Sequence, residues 1–126
     1  MARRIRIRAG TVALMIAELT DSPTAVAIHK ALPLEAAAQT WGDEIYFRIP
    51  VQQSLDDTAV ELVAAGDLGY WPTGRAFCIF FGPTPASRGD EIRPASAVNL
   101  VGRVLGDAKV LKAVQDGDLV RLEMDS

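Results

Sequence analysis

Hydrophobic and polar residues alternate with a period of two near the start of the chain, which indicates a β-strand. From Arg4 to Arg8 the sequence reads RIRIR, so Ile5 and Ile7 share one face and the arginines share the other. Gly10 permits a tight turn into a second, more apolar strand over Thr11 to Leu19. We therefore predict a β-hairpin whose arginine face is solvated and discourages pairing at a sheet edge; an anion site is the alternative.

The rest of the chain contains short segments rich in β-branched and aromatic residues, several of them alternating, which favour further strands. These predicted strands are Glu44 to Ile49, Val60 to Ala64, Asp67 to Trp71, Arg75 to Phe81, Val98 to Leu105 and Leu119 to Met124.

Two short helices are predicted from their capping residues. Ser22 and Pro23 form a helix start, and Pro33 ends that helix near Ala31. Asp107 caps a second helix that runs to about Val114. The segment LEAAAQ, from residue 34, favours helix by propensity and stays ambiguous. About eight strands and two helices predict a mainly β single domain over residues 1–126, a closed barrel with short helices capping its ends.

Composition narrows the classes of function. The chain has 126 residues, 49% of them hydrophobic and 23% charged, and a formal net charge of −3, as in an ordinary soluble domain. This charge gives no general attraction to nucleic acid or to an anionic membrane. The apolar run from Val12 to Ala17 is too short for a secretory signal, since Glu18 follows at once. Cys78 is the single cysteine, so we expect a reducing, cytoplasmic location.

Several kinds of catalytic site are not supported by the residue types. The chain has one histidine and one cysteine, His29 and Cys78, about fifty residues apart, which does not suit a metal site or a catalytic triad. Acidic pairs such as Asp43-Glu44 are neighbours in sequence and would point to opposite faces of a strand. No glycine-rich phosphate loop is present. We therefore expect no metal and no cofactor.

The aromatic residues are the strongest candidates for a binding site. Five of the eight lie within GDLGYWPTGRAFCIFFGPTP, which spans Gly66 to Pro85. Alternation places Phe77, Ile79 and Phe81 on one strand face, which we interpret as core. The opposite face, with Cys78 and Phe80, is either a second packed layer or the floor of a groove. The polar tips of Tyr70 and Trp71 favour half-exposed positions, at a pocket rim or in the core.

The sequence resembles the cyclophilins, which are peptidyl-prolyl isomerases, over AFCIFFGPTP and then NLVGRVLGDAKVLKAVQ. The whole chain more closely resembles a family of small prokaryotic cyclophilin-like proteins of unassigned function. Three hallmark segments carry this resemblance: TWGDEIYF (Thr40 to Phe47), GDLGYWPTGRAFCIFFGPTP (Gly66 to Pro85) and IRPASAVNLVGRV (Ile92 to Val104). The resemblance implies an eight-stranded barrel closed by two helices.

The resemblance also raises the possibility of prolyl isomerisation, which must overcome a barrier of about 18–20 kcal/mol. Cyclophilins use an arginine that donates near the imide nitrogen, and an apolar pocket for the proline ring. Arg48 matches that arginine, and the glutamine that follows it is Gln52 or Gln53. Cys78, however, stands where the pocket phenylalanine belongs, and Ala86 stands where many cyclophilins have tryptophan. Efficient isomerisation is therefore not expected.

We interpret the chain as a binding protein that recognises a small molecule or peptide in a groove on the barrel without catalysis. The candidate ligand-binding residues are Tyr46, Arg48, Gln52, Tyr70, Trp71 and Phe80. A weak or specialised prolyl isomerase, with Arg48 as the catalytic donor, is the first alternative. An accessory subunit of a larger amide-hydrolysing enzyme is the second, by analogy of fold alone. The oligomeric state stays open.

Overall fold

The computed structural model describes residues 3–11 and 13–125; Met1, Ala2, Val12 and Ser126 lie outside the described residues. The described residues form ten strands, one α-helix and one 3₁₀-helix. The strands are β1 (Arg3–Ala9), β2 (Ala13–Leu19), β3 (Leu34–Ala37), β4 (Gln39–Thr40), β5 (Glu44–Arg48), β6 (Ala59–Val60), β7 (Asp67–Trp71), β8 (Ala76–Phe80), β9 (Val98–Leu105) and β10 (Leu119–Met124). The helices are α1 (Pro23–Ala31) and the 3₁₀-helix Ala108–Ala113.

All ten strands belong to one sheet, in the order β3-β10-β1-β2-β9-β7-β8-β5-β4, with β6 paired to β9. The sheet is not closed, so the predicted closed barrel of about eight strands is wrong in closure and in count. The two end strands are nevertheless consecutive in the chain, with only Ala38 between them. The backbone of Ala38 still bonds to the β10 side, through Asp118 O at 2.8 Å, whereas β4 pairs with β5. The chain therefore changes partner strand at this residue.

The strands absent from the prediction are short. Helical propensity left the segment from Leu34 ambiguous, but it forms β3 because it pairs with β10. The predicted strand Val60 to Ala64 is wrong over most of its length. In its place are the two-residue β6 and an isolated pairing of Val63 with Ile92. These pairings are non-local, so no local sequence pattern indicates them.

The predicted hairpin is confirmed as β1 and β2, which are antiparallel with Arg6 opposite Ile16. The arginines have a different role from the expected one, because β1 lies between β10 and β2 and is not an edge strand. Acidic residues of β10 and the residue that follows it lie beside them: Arg8 is 3.0 Å from Glu123, and Arg6 is 3.3 Å from Asp125. The arginine face is therefore a surface of ion pairs across adjacent strands.

Both predicted helix starts are confirmed by their caps. The Ser22 hydroxyl accepts a hydrogen bond from Ala25 N at 3.2 Å, and the Asp107 carboxylate accepts one from Lys109 N at 2.9 Å. The second helix is a 3₁₀-helix, not an α-helix. Ile28 of α1 is fully buried, and the helix packs against β9 and β2. In the part of the chain that the structure describes, no helix is long and apolar enough to cross a membrane.

The main core lies on the inner face of the sheet. Phe47 of β5 and Phe77 of β8 are directly opposite each other in register, and their ring centroids are 5.6 Å apart. Ile79 and Phe81 lie in the same core, as predicted. A smaller cluster on the outer face contains Ala76, Cys78, Phe80, Ile92 and Val98. The β5-β8-β7 region is thus packed on both faces, and the candidate site lies on the outer one.

Candidate functional site

An open cleft of about 260 Å³ lies on the outer face of β5, β7 and β8. Three aromatic side chains, one carboxylate and several small apolar residues line it. The lining residues are Trp41, Glu44, Tyr46, Trp71, Pro94, Ala95 and Val98. Its volume is slightly below the range of about 300–1,000 Å³ that is usual for drug-sized ligands. The cleft therefore suits a small molecule or one side chain of a larger ligand.

Close contact between two turns positions one side of the cleft. Gly42 has φ of +60°, and a Cβ added there would lie 2.9 Å from Pro83 O. A Cβ on Gly82 would lie 2.3 Å from the Asp43 carboxylate, and Asp43 N donates to Pro83 O at 2.9 Å. Only glycine allows this approach of the two turns. The contact fixes the short segment that carries Trp41 and Glu44.

The loop after β8 is organised by its own hydrogen bonds. The hydroxyl of Thr84 donates to Arg93 O, and the hydroxyl of Ser87 accepts from Thr84 N at 2.9 Å and from Arg93 N at 3.1 Å. Thr84 is buried, which fits these contacts. The loop thereby holds residues 94–98 over the outer face, where they form the second side of the cleft.

Trp71 connects the sheet to that second side. Its indole Nε1 donates to the Ser96 hydroxyl at 2.6 Å. Its ring also covers Gly74, where an added Cβ would lie 2.7 Å from the ring carbons. On the neighbouring floor, the absence of a side chain at Gly69 lets Val98 and Phe80 approach the backbone of β7. Trp71 is consequently held at the edge of the cleft, and its ring is half-buried.

Glu44 is the one carboxylate in the cleft lining, and it is unusual for an acid because it is only 6% exposed. Burial raises the pKa of Glu44 to about 7, and a weaker hydrogen-bonding interaction with the Cys78 thiol opposes this shift. Within residues 3–11 and 13–125, no lysine, arginine or histidine forms an ion pair with Glu44. The carboxyl group is thus buried beside an open apolar cleft without a cationic partner.

Cys78 lies on the same outer face, where it is directly opposite Tyr46. Burial, followed by the nearby Glu44 carboxylate, raises the pKa of this thiol well above its ordinary value. A thiol that stays protonated is a poor nucleophile. Cys78 is therefore a buried thiol that is poorly suited to nucleophilic chemistry.

The six sequence-predicted site residues are divided among four places, one of which is the main core that contains Tyr70. Tyr46 and Trp71 line the cleft, and Phe80 is fully buried in the cluster beneath it. Arg48 and Gln52 line a separate shallow depression beside Arg75. The structure therefore does not bring these residues into one groove.

Tyr70 does not line the cleft. It is fully buried in the main core, where its hydroxyl donates to Val51 O at 2.5 Å and accepts from Gln53 N at 3.3 Å. The prediction of a half-exposed position is wrong for this residue, because its polar tip is satisfied by backbone groups inside the protein. The same prediction is confirmed for Trp71.

Sequence reasoning missed five of the lining residues: Trp41, Glu44, Pro94, Ala95 and Val98. A signal for one of them was present, because Glu44 is in phase with Tyr46 on β5 and therefore shares its face. The residues of the 94–98 segment carry no such signal.

Across the described part of the chain, no three His, Cys, Asp or Glu side chains are grouped as metal ligands would be.

The three hallmark segments meet at this cleft. The lining residues are Trp41, Glu44 and Tyr46 from the first segment, Trp71 from the second, and Pro94, Ala95 and Val98 from the third. A family model described as cyclophilin-like matches residues 3–123. The chain belongs to the cyclophilin-like family. The resemblance inferred from the hallmark segments is therefore confirmed.

A solved structure supports the same relationship for this cyclophilin-like protein. The solution structure of a hypothetical protein from Archaeoglobus fulgidus is similar over 98% of this chain and 95% of that chain, with 43% identity and a TM-score of 0.83. No curated protein matches the sequence. Since the archaeal protein is itself described as hypothetical, the comparison establishes family and fold and brings no activity with it.

Proposed function

We propose that this cyclophilin-like protein binds a small molecule or a peptide side chain, without catalysis, in the cleft lined by Trp41, Tyr46 and Trp71. The proposed setting is a reducing cytoplasm, on the ground of the single cysteine. The observation that carries the proposal is the cleft itself, which is open, mostly apolar and equipped with one buried carboxyl group from Glu44. Binding sites commonly combine an apolar lining with a few polar groups that orient the ligand.

The way the cleft is built supports the same proposal. Its sides are fixed by the turn contact at Gly42 and by the hydrogen bonds of Thr84, so the cavity does not depend on ligand for its shape. A preformed cavity lowers the entropy that a ligand must lose on binding.

Prolyl isomerisation receives less support from the geometry. It requires the arginine donor and the ring pocket to act on one substrate group. Arg48 is exposed and lines the depression beside Arg75, while the aromatic cleft lies further along β5 around Tyr46 and Glu44. A donor and a pocket in separate depressions favour recognition over isomerisation.

Tryptophan fluorescence can test the proposal directly, because both tryptophans of the chain line the cleft. We expect at least one compound in a library of small amines, amides, carboxylates and aromatics to shift the emission in a saturable manner. Ala95 is exposed and lines the cleft, so Ala95→Leu narrows the site without changing the core. This substitution should lower the affinity of the protein for that compound by about tenfold or more, which is equivalent to about 1.4 kcal/mol of binding free energy.

The matched control is Ala65→Leu, which adds the same atoms at an exposed turn before β7. It should leave the affinity unchanged, and a thermal melt of each variant checks that folding is intact. The proposal is wrong if no compound produces a saturable shift. It is also wrong if every compound binds equally to the wild type and to Ala95→Leu, since the ligands would then lie elsewhere.

A further inference from the structure

The unpaired carboxyl group of Glu44 carries information about the ligand. Buried carboxylates in proteins are normally paired with a cation or satisfied by several donors, because an uncompensated buried charge is strongly unfavourable. Even at the sheet surface, the Glu123 carboxylate has cationic partners, since it lies 3.0 Å from both Arg8 and Arg121. Glu44 differs from them, since its polar neighbour is the thiol of Cys78.

The groups that face Glu44 explain why no cation of the protein reaches it. From β5 it is accompanied by Tyr46, and from β8 by Cys78. The adjacent Asp43 lies against Gly82 and is 3.8 Å from Lys112, so that lysine is directed to Asp43. The 94–98 segment contributes only small apolar atoms to the lining.

Arg93, which directly precedes the 94–98 segment, already forms an ion pair with another acid. Arg93 pairs with Glu91 at 2.8 Å and lines a different depression with Glu61. The cleft therefore offers one acidic group and three aromatic rings, with no positive charge among its lining residues. Aromatic faces attract cations through the ring quadrupole, most strongly when the cation is desolvated.

We propose that the ligand of the cleft is a small organic cation, an alkylammonium or guanidinium group, held between the Glu44 carboxylate and the rings of Trp41, Tyr46 and Trp71. This inference rests on the proposed function and names the ligand class. The carboxylate supplies the missing countercharge, and the rings contact the carbon groups that surround the charge. A neutral ligand that accepts a hydrogen bond from protonated Glu44 is the competing possibility.

Matched cationic and neutral probes separate these two classes. Choline and 3,3-dimethyl-1-butanol have nearly the same shape and differ in charge, and tetramethylammonium and guanidinium extend the cationic series. We expect choline to bind at least tenfold more tightly than the neutral alcohol in a tryptophan-emission titration at pH 8. Equal affinities, tighter binding of the alcohol, or failure of all the cations to bind would each overturn the cation proposal.

The source of the cation is distinguished by one further probe, the amide of N-acetyl-trimethyllysine. Tighter binding of this compound than of choline would indicate a peptide side chain as the ligand. Equal or weaker binding would indicate a free ammonium compound. Both results support the cationic class.

Glu44→Gln tests the role of the carboxylate, because glutamine keeps the shape and removes the charge. The affinity for choline should fall at least tenfold, while the affinity for the neutral alcohol should stay within about twofold of the wild type. In the wild type, choline should bind more tightly as the pH rises through about 7, the range in which Glu44 loses its proton. Unchanged choline affinity in Glu44→Gln, or no pH dependence in the wild type, would contradict the proposal.

Failure of this inference and failure of the proposed function give different results. If neutral compounds bind in the cleft, respond to Ala95→Leu and ignore Glu44→Gln, the cleft is a binding site and the cation proposal is wrong. If no compound of any charge responds to Ala95→Leu, the proposed function itself is wrong. A thermal melt of Glu44→Gln confirms that the variant is folded before its affinities are compared.

Discussion

Tyr70 and Trp71 are neighbours on β7, yet they belong to opposite faces of the sheet and to different environments. The Tyr70 ring is fully buried in the main core, and its hydroxyl bonds to the backbone of Val51 and Gln53. The Trp71 ring is half-buried at the edge of the cleft, and its indole N–H bonds to Ser96. Both aromatic rings have a satisfied polar tip, so aromatic character alone does not separate core from site.

The difference between the two faces appears in the groups around these rings. On the inner face, the neighbours are apolar side chains such as Phe77, which belong to the same buried core. On the outer face, an open cleft separates Trp71 from Glu44, whose buried carboxyl group lacks a cationic partner. The inner face is therefore a closed apolar core, whereas the outer face carries an open cleft beside a buried carboxyl group.

The largest effect is expected for Phe77→Ala, which removes a fully buried ring that contacts Phe47. The free energy of unfolding should fall by about 3–5 kcal/mol, through lost burial and a residual cavity. Tyr46→Ala on the outer face is the matched variant, and it should lose less than about 2 kcal/mol because its ring is only half-buried. Chemical denaturation measures both. Equal losses in the two variants would remove the distinction between the faces.

The next largest effect concerns the charge of Glu44. Folding raises the pKa of Glu44 from its ordinary value of 4.5, which applies to the unfolded chain, to about 7. The folded state therefore binds more protons between these values, and the free energy of unfolding should fall as pH rises through this window. The full loss above pH 7 is about 3 kcal/mol, at about 1.4 kcal/mol for each pKa unit.

Glu44→Gln should remove this part of the pH dependence. Relative to the wild type, the variant should be equally stable near pH 4 and more stable by about 3 kcal/mol at pH 9, as measured by urea unfolding across the range. Glu61→Gln, at an exposed position, is the control and should follow the wild type. Parallel pH profiles for the wild type and Glu44→Gln would mean that the pKa of Glu44 is the same in the folded and unfolded states, so that burial does not disfavour its charge.

Much of the fold could be predicted from the sequence where local patterns decide it. The strands Asp67–Trp71, Val98–Leu105 and Leu119–Met124 have the predicted bounds, since alternation and flanking turn residues define them. The short strands β3 and β6 depend on partners distant in the chain, and local propensity gives no information about those partners. By contrast, β4 pairs locally with β5 and is only two residues long. The open ends of the sheet follow from the change of partner strand at Ala38.

Part of the candidate site could be predicted from the sequence, because strand alternation assigns each side chain to one face of the sheet. Strand alternation requires Tyr70 and Trp71 to face opposite sides, so both could not line one groove. The adjacency of Asp43 and Glu44 argues against a paired-carboxylate site, but the phase of Glu44 with Tyr46 places it on the same face as that ring. The contribution of Ala95 and Val98 could not be foreseen, because hydrogen bonds within the preceding loop determine where their segment lies.

The smallest effect sharpens the comparison between the two tyrosines of the chain. Tyr70→Phe removes a hydroxyl that bonds to Val51 O and Gln53 N in the interior, so it should lose about 1–2 kcal/mol of unfolding free energy. Tyr46→Phe changes a half-buried residue at the cleft and should stay within about 0.5 kcal/mol of the wild type.

Ligand binding separates the two tyrosines further. A compound that binds in the cleft should keep its affinity in Tyr70→Phe, because that hydroxyl lies on the inner face. If Tyr70→Phe instead lowered the affinity for the compound without lowering the free energy of unfolding, the inner face would take part in recognition. The distinction between an inner face that serves only packing and an outer face that binds the ligand would then no longer hold.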